Sequence, residues 1–175
     1  MLFEKDYSFK GVHADKVKQL VDNKFDKEHR LFERNVDVYM MAPIVGFLKG
    51  RRSSLDKSTP GNTNILAEIM IKCKADLLFT YRLIMLLDTA YEPDQTERIN
   101  KAFRYYGDEE KSKKDMERFE EYVRGGVDYL YEKIFEDATL PEDYVNNIYD
   151  LITDVYDGCA ELPKAIIELC EFARG

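Results

Sequence analysis

The spacing of apolar residues between positions 62 and 90 constrains the fold of this chain most. Six apolar side chains follow intervals of 4, 3, 4, 4 and 3 residues: Leu66, Met70, Cys73, Leu77, Tyr81 and Ile84. These intervals place all six on one face of an α-helix. The second half of the segment is also apolar on its other faces, which is typical of a helix enclosed by neighbours. The spacing therefore predicts a long, buried central helix over residues 62–90.

Residues 108–157 predict a hairpin of two amphipathic helices. In the first helix the apolar positions are Met116, Phe119, Val123, Val127, Leu130 and Ile134. The second helix begins at Thr139-Leu-Pro-Glu142, which has the form of a capping box with proline in the first turn. Its apolar positions are Val145, Ile148, Leu151, Ile152 and Val155.

The pair Gly125-Gly126 interrupts the first of these helices. Glycine inside a helix costs about 1 kcal/mol relative to alanine, so the pair needs a structural reason. One interpretation is a bend in the helix, and the other is the close approach of a second backbone. The sequence leaves both open.

The remaining segments complete an all-α prediction. Residues 14–21 and 31–48 predict two helices, the second kinked or divided at Pro43, with a strand over 36–40 as the alternative. Residues 50–64 form a polar loop, a short helix follows Asp94, and a last helix follows Pro163. We therefore expect one domain over residues 1–175, a compact bundle of about six helices with the central helix 62–90 and the acidic hairpin 108–157.

Composition argues for a soluble, cytoplasmic protein. The longest uncharged apolar run, 38–48, is shorter than the roughly 20 residues that span a membrane, and the first residues are charged where a secretory signal is apolar. The three cysteines, an odd number without paired spacing, are expected to be reduced thiols, and the two histidines are remote from them: Cys73, Cys159, Cys170, His13 and His29. We predict no metal and no cofactor.

Charge is distributed unevenly along the chain. Residues 1–107 carry 18 basic and 15 acidic side chains, whereas residues 108–175 carry 8 basic and 19 acidic ones. Seven acids recur at helical intervals on the two hairpin helices: Asp128, Glu132, Glu136, Asp143, Asp150, Asp154 and Asp157. Eight tyrosines crowd the same half, and several must be partly exposed: Tyr105, Tyr106, Tyr122, Tyr129, Tyr131, Tyr144, Tyr149 and Tyr156. This surface is either a solvated face or a site for a basic partner.

A basic loop offers a second candidate surface. Its cations are interleaved with hydroxyl side chains and could bind phosphate: Lys49, Arg51, Arg52 and Lys57. The loop lacks the order of glycines, lysine and hydroxyl residue of a nucleotide-binding P-loop. Nucleic-acid binding through this loop is therefore an alternative, beside simple solvation of its charges.

Sequence motifs for catalysis are few. Asp26 and His29 have the spacing of one half of a di-iron motif, but the second copy that such a site needs does not occur. No serine lies in a nucleophile elbow, and no glycine-rich dinucleotide fingerprint is found. We predict a non-enzymatic interaction module that binds a protein partner or a second copy of itself through the acidic, tyrosine-bearing face, with Tyr149 among the contacts. A magnesium-dependent enzyme acting on a phosphorylated small molecule is the last alternative.

Overall fold

The computed structural model describes residues 2–22, 30–56 and 58–159, and the predictions for Asp26, His29, Lys57, Cys170 and the helix after Pro163 lie outside them. The helical class is confirmed, because the described part contains seven helices and one small sheet. The chain divides into two compact units, Met1–Tyr131 and Glu132–Gly175, and the single domain expected over residues 1–175 stays a prediction. None of the described helices has the length and apolar composition needed to cross a bilayer.

The described elements are two short strands, seven α-helices and a π-helical turn. In order they are β1 (Tyr7–Lys10), α1 (Gly11–Asp22), α2 (Asn35–Leu48), β2 (Asn62–Ile65), α3 (Ala67–Lys72), α4 (Lys74–Leu87), α5 (Gln95–Asn100), a π-helical turn (Lys101–Tyr105), α6 (Lys113–Phe135) and α7 (Pro141–Cys159). Strands β1 and β2 pair antiparallel, with Tyr7 opposite Ile65 and Lys10 opposite Asn62. The pair buries Phe9 and Ile65 against the helices.

The core of the first unit is built around aromatic rings from three helices and the N-terminal segment. Tyr39 of α2, Tyr81 of α4 and Phe119 of α6 are fully buried. The ring of Phe119 lies 6.2 Å from that of Tyr39, 5.8 Å from that of Tyr81 and 5.8 Å from that of Phe3. Rings at these separations and steep angles make favourable edge contacts in addition to burying apolar area.

The predicted central helix is divided in the structure. Its first residues form β2, and the helical part is broken at Cys73 into α3 and α4. Leu77, Tyr81 and Ile84 are buried as predicted, but Leu66 is 60% exposed because it precedes the first turn of α3. The carboxylate of Asp6 accepts the backbone N–H of Ala67 at 2.6 Å, so a residue 61 positions away satisfies the start of α3.

The structure shows how the helices accommodate Pro43 and the pair Gly125-Gly126. Pro43 lies inside the single helix α2, so the helical interpretation of this segment is confirmed. The predicted division of the helix at Pro43 and the strand alternative are both wrong. Helix α6 also continues through Gly125-Gly126, where another backbone approaches closely. A Cβ on Gly126 would lie 2.5 Å from the carbonyl carbon of Ala42, and one on Gly125 would lie 2.6 Å from the amide of Arg52. Glycine is needed at both positions because α2 and the following loop pack directly on the backbone of α6.

Candidate functional site

Helix α7, in the second unit, carries a row of exposed large side chains along one face. The row recurs at intervals of 4, 3 and 4 residues, with exposed fractions of 60–77%: Val145, Tyr149, Ile152 and Tyr156. These intervals place the four side chains on one stripe, which we call the α7 stripe. Contiguous exposed apolar surface of this kind marks interaction sites in soluble proteins.

Another side of α7 is covered by residues of the same unit. Leu151 is 6% exposed, and the ring of Tyr144 packs edge-on against Phe135 with centroids 5.7 Å apart. The side-chain amide of Asn147 donates to the backbone carbonyl of Ile134 at 3.1 Å. Among the described residues, the apolar sector of α7 is therefore wider than the surface that covers it, and the α7 stripe is the part left open.

The first turn of α7 is capped by Asp143. Its Oδ2 accepts the backbone N–H of Leu140 at 2.8 Å and that of Thr139 at 2.9 Å. These bonds lower the pKa of the Asp143 carboxyl below its usual value. The sequence predicts a capping box from Thr139 to Glu142. In the structure, the acid that bonds to the start of helix α7 is the next residue, Asp143. Asp143, predicted to bind a partner, thus has a structural role.

The other predicted acids of the second unit differ in exposure. Glu136, Asp150 and Asp157 are exposed, and Glu132 and Asp154 are half-buried. Asp150 directly follows Tyr149, and Asp157 directly follows Tyr156, so on the helix both acids lie to the same side of the α7 stripe. This side of α7 combines apolar anchors with negative charge.

Asp128, in the first unit, belongs to a different environment. Its Oδ1 accepts Lys16 Nζ at 2.7 Å, while Oδ2 accepts the hydroxyl of Ser53 and lies 3.3 Å from His13 Nε2. Burial opposes ionisation, but the hydrogen bonds from His13, Lys16 and Ser53 outweigh it and hold the pKa of Asp128 well below its ordinary value. The carboxylate therefore ties α1 and the basic loop to α6.

The combination of serine, aspartate and histidine does not form a catalytic triad. In a triad the histidine takes the serine proton and the aspartate orients the histidine. Here the Ser53 hydroxyl and His13 Nε2 both bond to the same oxygen of Asp128. A carboxyl group with a lowered pKa is a poor base, so the arrangement favours a structural role. The buried Nδ1 of His13 has no hydrogen-bond partner among the described residues.

The basic loop is fixed on α6 by its backbone. The amide of Ser53 donates to the carbonyl of Glu121 at 3.1 Å, and Arg124 Nε donates to the carbonyl of Ser53 at 2.8 Å. The side chains of Arg51 and Arg52 are exposed, and Arg52 forms an ion pair of 3.4 Å with Glu121. Lys49 is half-buried. The structure therefore brings Arg51 and Arg52 onto a rigid segment.

The tyrosines divide by exposure. Tyr149 and Tyr156 are 70% and 77% exposed, which confirms that several of the set are exposed, whereas Tyr122 and Tyr129 are buried. The other four are half-buried: Tyr105, Tyr106, Tyr131 and Tyr144. Across the described ranges, no group of three or more histidine, cysteine or acidic side chains has the geometry of a metal site.

Comparison with known proteins and protein families identifies the family of this chain. No curated protein and no solved structure matches the chain. One family model matches residues 12–156, a span from α1 to the last turns of α7 that includes Asp128, the basic loop and the α7 stripe. Because this match covers most of the sequence, the chain belongs to the family described as DNA sulphur modification system-associated protein 4.

Proposed function

We propose that the protein is a non-enzymatic interaction component of the DNA sulphur modification system and binds a basic protein partner through helix α7. The observation that carries this proposal is the α7 stripe, where four large apolar side chains are each at least 60% exposed. Full burial of one such side chain stabilises a complex by about 1.5–3 kcal/mol. Two tyrosines in the stripe add rigid contact area at little cost in side-chain entropy.

The charge beside the stripe defines the partner's chemistry. Asp150 and Asp157 are exposed next to Tyr149 and Tyr156, so the complementary surface is apolar at its centre and carries lysine or arginine at its edge. Exposed charges of this kind mainly accelerate encounter and are screened by salt, while the apolar anchors slow dissociation. Affinity should therefore fall only moderately as salt rises.

The test is co-purification with the other proteins of the same host's DNA sulphur modification system, expressed together, followed by affinity measurement on the partner found. Tyr149→Ser combined with Tyr156→Ser should weaken binding about a hundredfold, because two buried anchors are lost. Asp150→Lys combined with Asp157→Lys should mainly slow association. Phe79→Ser is the matched control, because Phe79 is 67% exposed on α4, outside the stripe. Unchanged binding by the tyrosine variant, or a wild-type protein that only self-associates through α7, would refute the proposal.

Nucleic-acid binding is the second candidate function. It is supported by the rigid attachment of the loop backbone at Ser53, with the side chains of Arg51 and Arg52 exposed beside it. Phosphate contacts by such groups give an affinity that falls steeply with salt. Arg51→Ala combined with Arg52→Ala should reduce binding of short duplex DNA at low salt at least tenfold. DNA binding that survives this change, or that wild-type protein does not show, would exclude the loop.

A further inference from the structure

A cavity in the first unit contains neither Arg51 and Arg52 nor any residue of the α7 stripe. It has a volume of about 690 Å³ and lies between the N-terminal segment, the first half of α6 and residues 54–55 of the basic loop. Part of its wall is apolar, formed by Leu2, Phe3, Leu55, Met70 and Met116. Cavities of this size, with apolar walls and a few polar groups, are typical of small-ligand sites.

A largely buried carboxylate, that of Glu120, lines this cavity. Glu120 Oε1 accepts the hydroxyl of Tyr39 and Oε2 accepts that of Tyr7, each at 2.6 Å. Burial raises the pKa of Glu120, despite these two hydrogen bonds. The side chain is 16% exposed and lines the cavity, so a ligand can reach it.

Among the described residues, no basic side chain donates a hydrogen bond to this carboxylate, although one lies within ion-pair distance. The nearest is Arg124, whose Nη1 lies 3.9 Å from Glu120 Oε2, while its Nε donates to the carbonyl of Ser53. Each carboxylate oxygen has two lone pairs, and the tyrosines use one on each. One acceptor position therefore remains on each oxygen, which matches the paired N–H groups of a guanidinium ion.

Charges around the cavity favour the same ligand. Its lining contains five carboxylates and three basic groups. Glu109 is paired with Lys5 and Glu121 with Arg52, so the remaining lining charges are three carboxylates and two basic groups, a small negative excess. We propose that the cavity binds a guanidinium group on a short apolar stem, with the cation on Glu120 and the stem against Met116 and Leu55. This inference is independent of the α7 proposal, because no residue is shared.

Methyl-group NMR on the full chain, labelled with ¹³C at methionine methyls, gives a direct test. Met70 and Met116 line the cavity, whereas Met41 is 44% exposed and Met85 is buried, and neither lines it. Titration with butylguanidinium should shift the Met70 and Met116 signals and leave Met41 and Met85 unchanged. Butylurea has the same shape without the charge and should bind at least tenfold more weakly.

Two variants separate binding from folding. Glu120→Gln removes the charge and should weaken butylguanidinium binding at least tenfold, while Glu109→Gln, on the rim, should change it less than twofold. If Glu120→Gln perturbs the methionine spectrum without ligand, Leu55→Trp is the alternative, because it fills the cavity and leaves Glu120 in place. A blocked arginine (N-acetylarginine methylamide) distinguishes the sources: binding indicates an arginine of a protein, and its absence indicates a free guanidine. Equal binding of butylurea, or wild-type affinity in both Glu120→Gln and Leu55→Trp, would overturn the proposal.

Discussion

Replacing Gly126 by alanine tests the packing of α2 on α6 most directly. The added Cβ would lie 2.5 Å from the carbonyl carbon of Ala42, about 0.9 Å short of the 3.4 Å at which ordinary contacts begin, and closer still to the carbonyl oxygen. The neighbour is backbone of a helix, so it cannot rotate away as a side chain could. The two helices must separate, and overpacking of this kind costs up to about 3 kcal/mol.

Alanine is also the better helix former, which opposes this cost by about 1 kcal/mol. The expected net loss for Gly126→Ala is therefore about 2 kcal/mol. With a urea m-value of about 2 kcal/mol per molar, the unfolding midpoint should fall by about 1 M, measured by circular dichroism at 222 nm.

The matched control is Gly107→Ala, because a Cβ there would meet no atom within 4 Å. Its midpoint should stay within about 0.3 M of wild type, a change of roughly 0.5 kcal/mol. If Gly126→Ala were as stable as wild type, the close approach of α2 and α6 would not be a feature of the folded protein.

Three further predictions concern buried polar groups. The pKa of the Asp128 carboxyl is lowered in the folded state, so its contribution to stability is present above the ordinary pKa of 3.8 and is lost as pH falls. Asp128→Asn should therefore lower the free energy of unfolding by about 2 kcal/mol at pH 7 and make the urea midpoint less dependent on acid pH. Burial raises the pKa of Glu120, which faces Tyr7, Tyr39 and Arg124. The wild type should therefore lose stability relative to Glu120→Gln as pH rises above 4.5. A difference in unfolding free energy between the two proteins that stays constant from about pH 4 to 8 would contradict this. The buried Arg98 donates hydrogen bonds to the backbone carbonyls of Leu86, Glu92 and Pro93. In thermal unfolding, Arg98→Met should lower the stability by about 3 kcal/mol. Arg104 is exposed, so Arg104→Met should lower it by less than about 1 kcal/mol.

The sequence predicted the long helices well because their signal is local. Apolar intervals of three and four residues identify α4, α6 and α7 without knowledge of their neighbours. The break at Cys73 and the exposure of Leu66 were missed, since the start of α3 is fixed by Asp6, far away in sequence. Strands β1 and β2 have four residues each, which is too short for alternation to stand out from a loop.

The candidate sites were predicted less completely, because their contacts join residues that are far apart in sequence. Periodicity assigns Asp128 to an acidic helix face, but its partners Lys16 and Ser53 are 112 and 75 residues away. The same limit applies to α7, where Val145 and Ile152 have the same apolar character as Leu151. Only the packed structure shows that Leu151 is covered and the other two are exposed.

The attachment of the loop after α2 has a consequence for protein engineering. Long polar loops normally accept inserted tags and fluorophores. The described part of this loop is held at three points: Ser53 bonds to α6, the carboxylate of Asp56 accepts the amide of Val12, and the carbonyl of Gly61 accepts the amide of Gly11. An insertion between residues 50 and 61 would separate these anchors, whereas the surface around Gly107 has open space beside the chain. Labels for following this protein inside its system should therefore be placed near Gly107.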